Sequence, residues 1–389
     1  MRKGSEGIHP GCFSGNVTSS GVCTRRSGAR RKSCLLLVLS LCLSLLAGCG
    51  GKVEQVDLSP VFFPPLPNEP RLQFLKGIGG PVDVTGKEKE SLVLFALGAG
   101  EVVRDSAPMV KPYGAATHQG KIYVSDLTAK QVVFIDLENK TYEQLKGNVS
   151  IGRLKKPVNL DLDEEGRLYV TDAVHKAVLV YDPAGNYVMT LGAALDWKPV
   201  DLAVHGKSLY VTDFKNSEVK VLDRENGKLL AAFGKSGAED PLDNIALPQG
   251  IDIDAKGLVR VVNMGGRVVT MDRDGKVVSA FGQLGDNFGM FARPKGIAVD
   301  GQDRIFVTDA THNNVQIFTD KGRLLAFFGE PGLPRGSMKM PAAIAVTTDN
   351  LAYYQTLAAP GFILEQVVIV VNQFGKDKIA IYGLGEMKK

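Results

Sequence analysis

From about residue 107 to the C-terminus, short apolar runs of about five residues alternate with polar turns, and the alternation repeats. "GKIYVSD" ends at Asp126, "GRLYVTD" at Asp172, "KSLYVTD" at Asp213 and "DRIFVTD" at Asp309, with "GLVRVVN" ending at Asn263 in the same place. A proline precedes each (Pro112, Pro157, Pro199, Pro248, Pro294), and a sixth, Pro341, precedes "AAIAVTTDNLAYYQ". The spacings between prolines are 45, 42, 49, 46 and 47 residues. The fifth unit shows four β-patterned runs, "GIAVD", "RIFVTD", "VQIF" and "LLAFFG", bounded by Gly, Asp and Asn. Runs this short, broken by glycine, do not support helices. A period in the forties with four strands per unit predicts propeller blades. Six of them can close into a ring that protects its sheet edges.

The joins carry more. "FGQLGDNFGMFARPKGIAVD", followed by "RIFVTDATHNNVQIF", resembles an NHL repeat: Phe-Gly, spaced glycines, Phe-x-x-Pro-x-Gly-Ile-Ala-Val-Asp, then Val-Thr-Asp and an Asn/His-rich turn. The resemblance is strong in unit five, good in units one to three and weak in unit six. It implies an all-β, six-bladed propeller of four-stranded blades, a fold whose NHL members commonly bind proteins. Residues 71–389 are assigned to it, with clear repeats from about 107.

What precedes is different. A basic cluster, a 12-residue apolar run from Leu35 to Leu46, and Leu46-Ala47-Gly48-Cys49 follow in order. The run is too short to span a bilayer but suits a signal peptide. The final four residues resemble a bacterial lipoprotein box, which implies lipid on Cys49 and residues 1–48 as signal peptide, with a long n-region that admits a later start. Gly50 and Gly51 are not the aspartate that commonly retains such proteins at the inner membrane. The implied address is therefore the cell envelope, at the outer membrane if there is one. Residues 49–70, with Pro60, Pro64, Pro65, Pro67 and Pro70, read as an extended tether.

Charge and cysteine content narrow the function. The formal charge of +4 belongs to the leader, where Arg2, Lys3, Arg25, Arg26, Arg30, Arg31 and Lys32 face only Glu6; the rest is near neutral and makes no case for nucleic acid. All five cysteines lie at or before Cys49, so the propeller holds no thiol chemistry, disulfide or thioether-linked haem. Gly-x-Ser-x-Gly, His-Glu-x-x-His, phosphate-loop and EF-hand patterns are missing.

Asp126, Asp172, Asp213, Asn263 and Asp309 recur once per unit. An acceptor that recurs is expected to hold the backbone of the next turn, whereas a catalytic pair would occur once. Asp309 with His312, and the matching His175, are read as turn residues; His118 and His205, which end first strands, are weak candidates as ligands. Departures from the repeat say more. In the first strand of each unit, the second and fourth positions after proline are mostly Gly or Ala, yet Asn159, Asp161, Asp201 and Asp252 occupy them in units two to four. Alternation places these on one face, beside the central channel. They are expected to line a wet channel; the alternative is a Ca2+ or Mg2+ site like the axial metal that six-bladed lactonases imply. Otherwise no cofactor is expected. In unit six, "YYQTLAAPGFILEQVVIVV" is read as a lengthened loop after the second strand. Its Tyr353, Tyr354 and Phe362 are either a partner surface or burial where the ring closes.

The sequence thus points to a lipid-anchored envelope propeller that binds a protein or ligand. The alternative is a metal-dependent lactonase- or lyase-like enzyme acting at the channel mouth.

Overall fold

The computed structural model describes residues 59–86, 108–234, 244–333 and 335–388. The proposed signal peptide, Cys49 and the first half of the tether lie outside them. The described chain begins with β1 (Val61–Phe63), β2 (Leu72–Ile78) and a short helix, α1 (Pro81–Thr85). Five four-stranded antiparallel sheets follow, each built from consecutive strands. Blade one is β3 (Pro112–His118), β4 (Lys121–Asp126), β5 (Gln131–Asp136) and β6 (Thr141–Gln144). Blade two is β7 (Pro157–Leu162), β8 (Leu168–Asp172), β9 (Ala177–Tyr181) and β10 (Tyr187–Leu191). Blade three is β11 (Pro199–His205), β12 (Ser208–Asp213), β13 (Glu218–Asp223) and β14 (Leu229–Phe233). Blade four is β15 (Pro248–Ile253), β16 (Val259–Asn263), β17 (Val268–Met271) and β18 (Val277–Phe281). Blade five is β19 (Pro294–Val299), β20 (Ile305–Asp309), β21 (Asn314–Phe318) and β22 (Leu324–Phe328).

Blade six joins both ends of the described chain. β23 (Pro341–Thr347), β24 (Phe362–Asn372) and β25 (Ile379–Met387) come from the C-terminus, and β2 then β1 complete the sheet from the N-terminal side. Leu72 pairs with Leu384, and Val61 with Phe74. This closure leaves no open sheet edge between first and last blades. It also corrects the tether. Its second half, residues 60–70, includes β1, whose Phe63 is buried against Phe328 and Tyr382. Proline is tolerated around an edge strand, where a missing N–H breaks no ladder.

Unit six needs a second correction. The insertion does not follow the second strand: it lies between the first and second strands and holds a helical turn, α2 (Leu351–Gln355), while "FILEQVVIVVN" is the second strand itself. Phe362 is 0% and Tyr354 2% exposed, and Tyr353 packs on the same core cluster. Gln355 fixes the insertion by accepting from Leu364 N and donating to Phe362 O, at 2.9 and 2.8 Å. These aromatics are core at the ring closure, not a partner surface.

The core lies between blades. One apolar cluster fills each junction among the described residues: one with two, two with three, and onward round to six with one. The Phe-Gly…Phe-x-x-Pro signature follows from this. Phe291, three residues before Pro294, is fully buried between blades four and five. A Cβ on Gly282, at φ +83°, would meet its ring at 2.8 Å, so only glycine allows both the turn and the plug.

Candidate functional site: the central channel

The first strands β3, β7, β11, β15, β19 and β23 each touch the next around the ring. Small residues let them approach: a Cβ on Gly250 would collide with the carbonyl oxygen of Lys295 in the next blade. Between the strands lies a cavity of about 240 Å³. Asn159, Asp161, Asp201 and Asp252 all line it.

Their bonding differs from solvation by channel water. Each carboxylate bridges two blades. Asp161 Oδ1 accepts from its own Leu162 N at 2.8 Å, and Oδ2 from Val204 N of blade three at 2.8 Å. Asp201 accepts from Leu202 N at 2.8 Å and from Ile251 N of blade four at 3.0 Å. Asp252 accepts from Ile253 N at 2.8 Å and from Val299 N of blade five at 2.7 Å. Asn159 lies instead against Gly114 of blade one, where an added Cβ would collide with its Oδ1, and that oxygen accepts from Leu160 N at 3.0 Å.

Burial dominates the electrostatics of this set. It pushes Asp161 up to about 7 and Asp252 up to about 6, against the lowering effect of two N–H bonds each. Asp201 is driven well above the carboxylate range by burial, with Asp161 and Asp252 adding to the rise. A cation would need these oxygens free and ionised. Instead they are turned to backbone donors, and the environment favours their protons. Among the described residues, no three His, Cys, Asp or Glu side chains come together as metal ligands. As bonded here, the set is arranged as bridges between blades.

The recurring residues form a second ring of bonds, as expected but doubled. Asp172 Oδ1 accepts from Val174 N and His175 N of its own turn, at 2.9 and 3.0 Å. Its Oδ2 accepts from Lys155 N and Lys156 N, which lead into the same blade's first strand, at 2.7 and 2.8 Å. Asp126 repeats all four bonds through Val110, Lys111, Thr128 and Ala129. Asp309 repeats them through Ala292, Arg293, Thr311 and His312. Asp213 accepts from Lys198 N, Lys215 N and Asn216 N, and meets the Lys220 ammonium at 3.2 Å. Asn263 takes Ala246 N at 3.2 Å. His312 Nδ1 lies 3.3 Å from Asp309 Oδ2, but that oxygen already accepts from two backbone donors, so the pair is turn architecture. The sixth member, missed in the sequence, is Asn372, which ends the second strand of blade six and accepts from Lys339 N at 3.2 Å. Its "VVIVVN" matches "GLVRVVN", but reading this segment as a loop after the second strand hid the register.

Fold and repeat together define a six-bladed β-propeller. Residues 291–318 match the NHL repeat model. The Protein brain tumor of Drosophila melanogaster is 31% identical over 96 residues, which is 25% of this chain and 9% of that protein. The uncharacterized YncE of Escherichia coli K12 is 30% identical over 158 residues, 38% of this chain and 42% of YncE. The matches thus span less than half the length of either relative. Among solved structures, a streptogramin B lyase superposes with TM-score 0.50 at 15% identity, covering 72% of this chain and 95% of that one. A Xanthomonas campestris gluconolactonase gives 0.51 at 17% identity, covering 71% and 86%. At such identities the likeness is one of fold.

Proposed function

We propose that this chain is a binding platform in a bacterial envelope, tethered to membrane by lipid on Cys49, and that its ring carries no metal-dependent lactonase or lyase centre. The observation that carries this reading is the bonding of the axial carboxylates. Asp161, Asp201 and Asp252 were the one polar cluster suggestive of chemistry, and all three hold neighbouring blades together through backbone N–H groups.

The surface supplies a recognition face elsewhere. Phe288 is 73% exposed and stacks on Phe327 of β22 with ring centroids 4.5 Å apart. Leu325, two residues back on the same strand, is exposed beside it. The loop bearing Phe288 is held by Gln316, which accepts from Gly289 N and donates to Met290 O, at 2.9 and 2.8 Å. Aromatic side chains exposed on a fixed loop are the residue type that anchors protein interfaces.

A photo-reactive residue at position 288 in the native cell is expected to capture a discrete envelope protein, and Leu325→Asp to abolish the adduct. Chelator-sensitive turnover of a lactone by the purified chain, with no adduct formed, would overturn the reading. For the anchor, Cys49→Ser is expected to release the protein from the membrane fraction; unchanged fractionation would remove the lipid.

A further inference from the structure

The first side chain after each inner-strand proline stands at one end of the channel. These are Tyr113, Val158, Val200, Gln249, Lys295 and Ala342. The Lys295 ammonium of blade five lies 4.7 Å from the ring centroid of Tyr113, which belongs to blade one. Blade six stands between them and contributes only Ala342, so the pair reaches across the mouth.

Lys295 is 6% exposed, and among the described residues no carboxylate lies within ion-pair distance of it. Burial first, then the charges of Arg293 and Lys111, bring its ammonium down to about 8. A cation–π contact contributes less than desolvating an ammonium costs. A buried cation flanked by two further cations lacks an anion.

The residues just before the inner-strand prolines, Lys111, Lys156, Lys198 and Arg293, each give their backbone N–H to the turn aspartate of their own blade, so an acid accompanies each of these charges. Among the described residues Lys295 has no such acid beside it, and Arg293 and Lys111 act on it as like charges. An unpaired cation at the end of a channel attracts an anionic ligand. The Tyr113 ring narrows the opening, which suits a small molecule more than a polymer.

We propose that this mouth binds a small anionic molecule through its carboxylate or phosphate group, with Lys295 as the central contact and Arg293 and Lys111 flanking it. The proposal rests on the platform reading only in naming a ligand class for it. Failure of anion binding would leave the Phe288 face untouched, and chelator-sensitive turnover would overturn the platform without touching the anion site.

The test is titration of the purified full-length chain with inorganic phosphate and with succinate, at ionic strength matched by chloride, followed by calorimetry and thermal melting. At least one anion is expected to bind saturably and raise the melting temperature beyond chloride. Lys295→Met is expected to weaken that binding about tenfold or more, equal to about 1.4 kcal/mol. It should also raise the melting temperature of the unliganded protein by removing an unpaired buried charge. Should that variant fail to fold, the exposed Arg293→Gln is expected to weaken binding several-fold, and Lys256→Met, remote and paired with Asp303, not at all. Phosphate and succinate both indistinguishable from chloride, or equal affinity in the mouth variants, would overturn the site. Displacement of phosphate by an RNA oligomer that binds far more tightly would overturn its assignment to a small molecule.

Discussion

Two sets of buried aspartates sit a few residues apart in this ring and live under different conditions. Asp126, Asp172 and Asp309, at the turns, each collect four backbone N–H donors. Asp161, Asp201 and Asp252, on the axis, each collect two. Where the balance is visible in the turn set, at Asp213, burial acts to raise the carboxyl, but Lys198 N, Asn216 and Lys220 outweigh it and hold the group low. On the axis burial wins. A buried carboxylate keeps its charge when enough donors face it, and two are too few at this depth. The turn residues bind one blade to itself, and the axial residues bind each blade to the next.

The largest effect expected from this contrast is at the turns. Asp172→Ala strands four backbone donors and should lower stability by about 3–5 kcal/mol in urea unfolding. Asp201→Ala, which frees two, should cost about 1–3 kcal/mol. Equal losses at the two positions would erase the distinction.

A pH series sharpens it further. The axial groups have folded pKa values raised above their unfolded value near 3.8, to about 6 for Asp252 and about 7 for Asp161. Their contribution to stability is therefore full below about pH 4 and is lost as pH rises through 6 to 7. An Asp161→Asn, Asp252→Asn double variant cannot ionise there. Its deficit against the parent should shrink between pH 4 and 8, as read from urea midpoints. A deficit that grows over that range would mean that the axial carboxylates are ionised and stabilising. The smallest effect is expected on the outer edge, where Phe288→Ser should change stability by less than about 0.5 kcal/mol while removing the partner adduct.

Much of this was legible in the chain. A period near 46 with a proline before each first strand fixes the blade count, and Asp126, Asp172, Asp213, Asn263 and Asp309 announce the turn bonds by recurring. Asn159, Asp161, Asp201 and Asp252 were placed by alternation alone. What their oxygens bond to was not legible, because the donors are backbone N–H groups of the next blade, and backbone carries no sequence signal. The ring closure was hidden for a related reason: β1 and β2 lie outside the repeat, and β2, which carries β1 on its other edge, pairs with a strand some 300 residues away. Proline in "VFFPPLPNEP" suggested a loose tether, and the burial of Phe63 depends on a partner only the fold supplies. Lys295 could have been noticed as a charge where other blades have Val, Ala, Tyr or Gln. Its reach across Ala342 to Tyr113 could not.

We infer that the axial carboxylates serve to join blades and not to hold metal. Thermal melts of the parent and Asp201→Ala, each with chelator and with millimolar Ca2+ or Mg2+, separate the two roles. The melting temperature of the variant is expected to be lower by the same amount under all conditions, with no shift on adding metal in either protein. A rise in the parent on adding metal, abolished by Asp201→Ala, would contradict it.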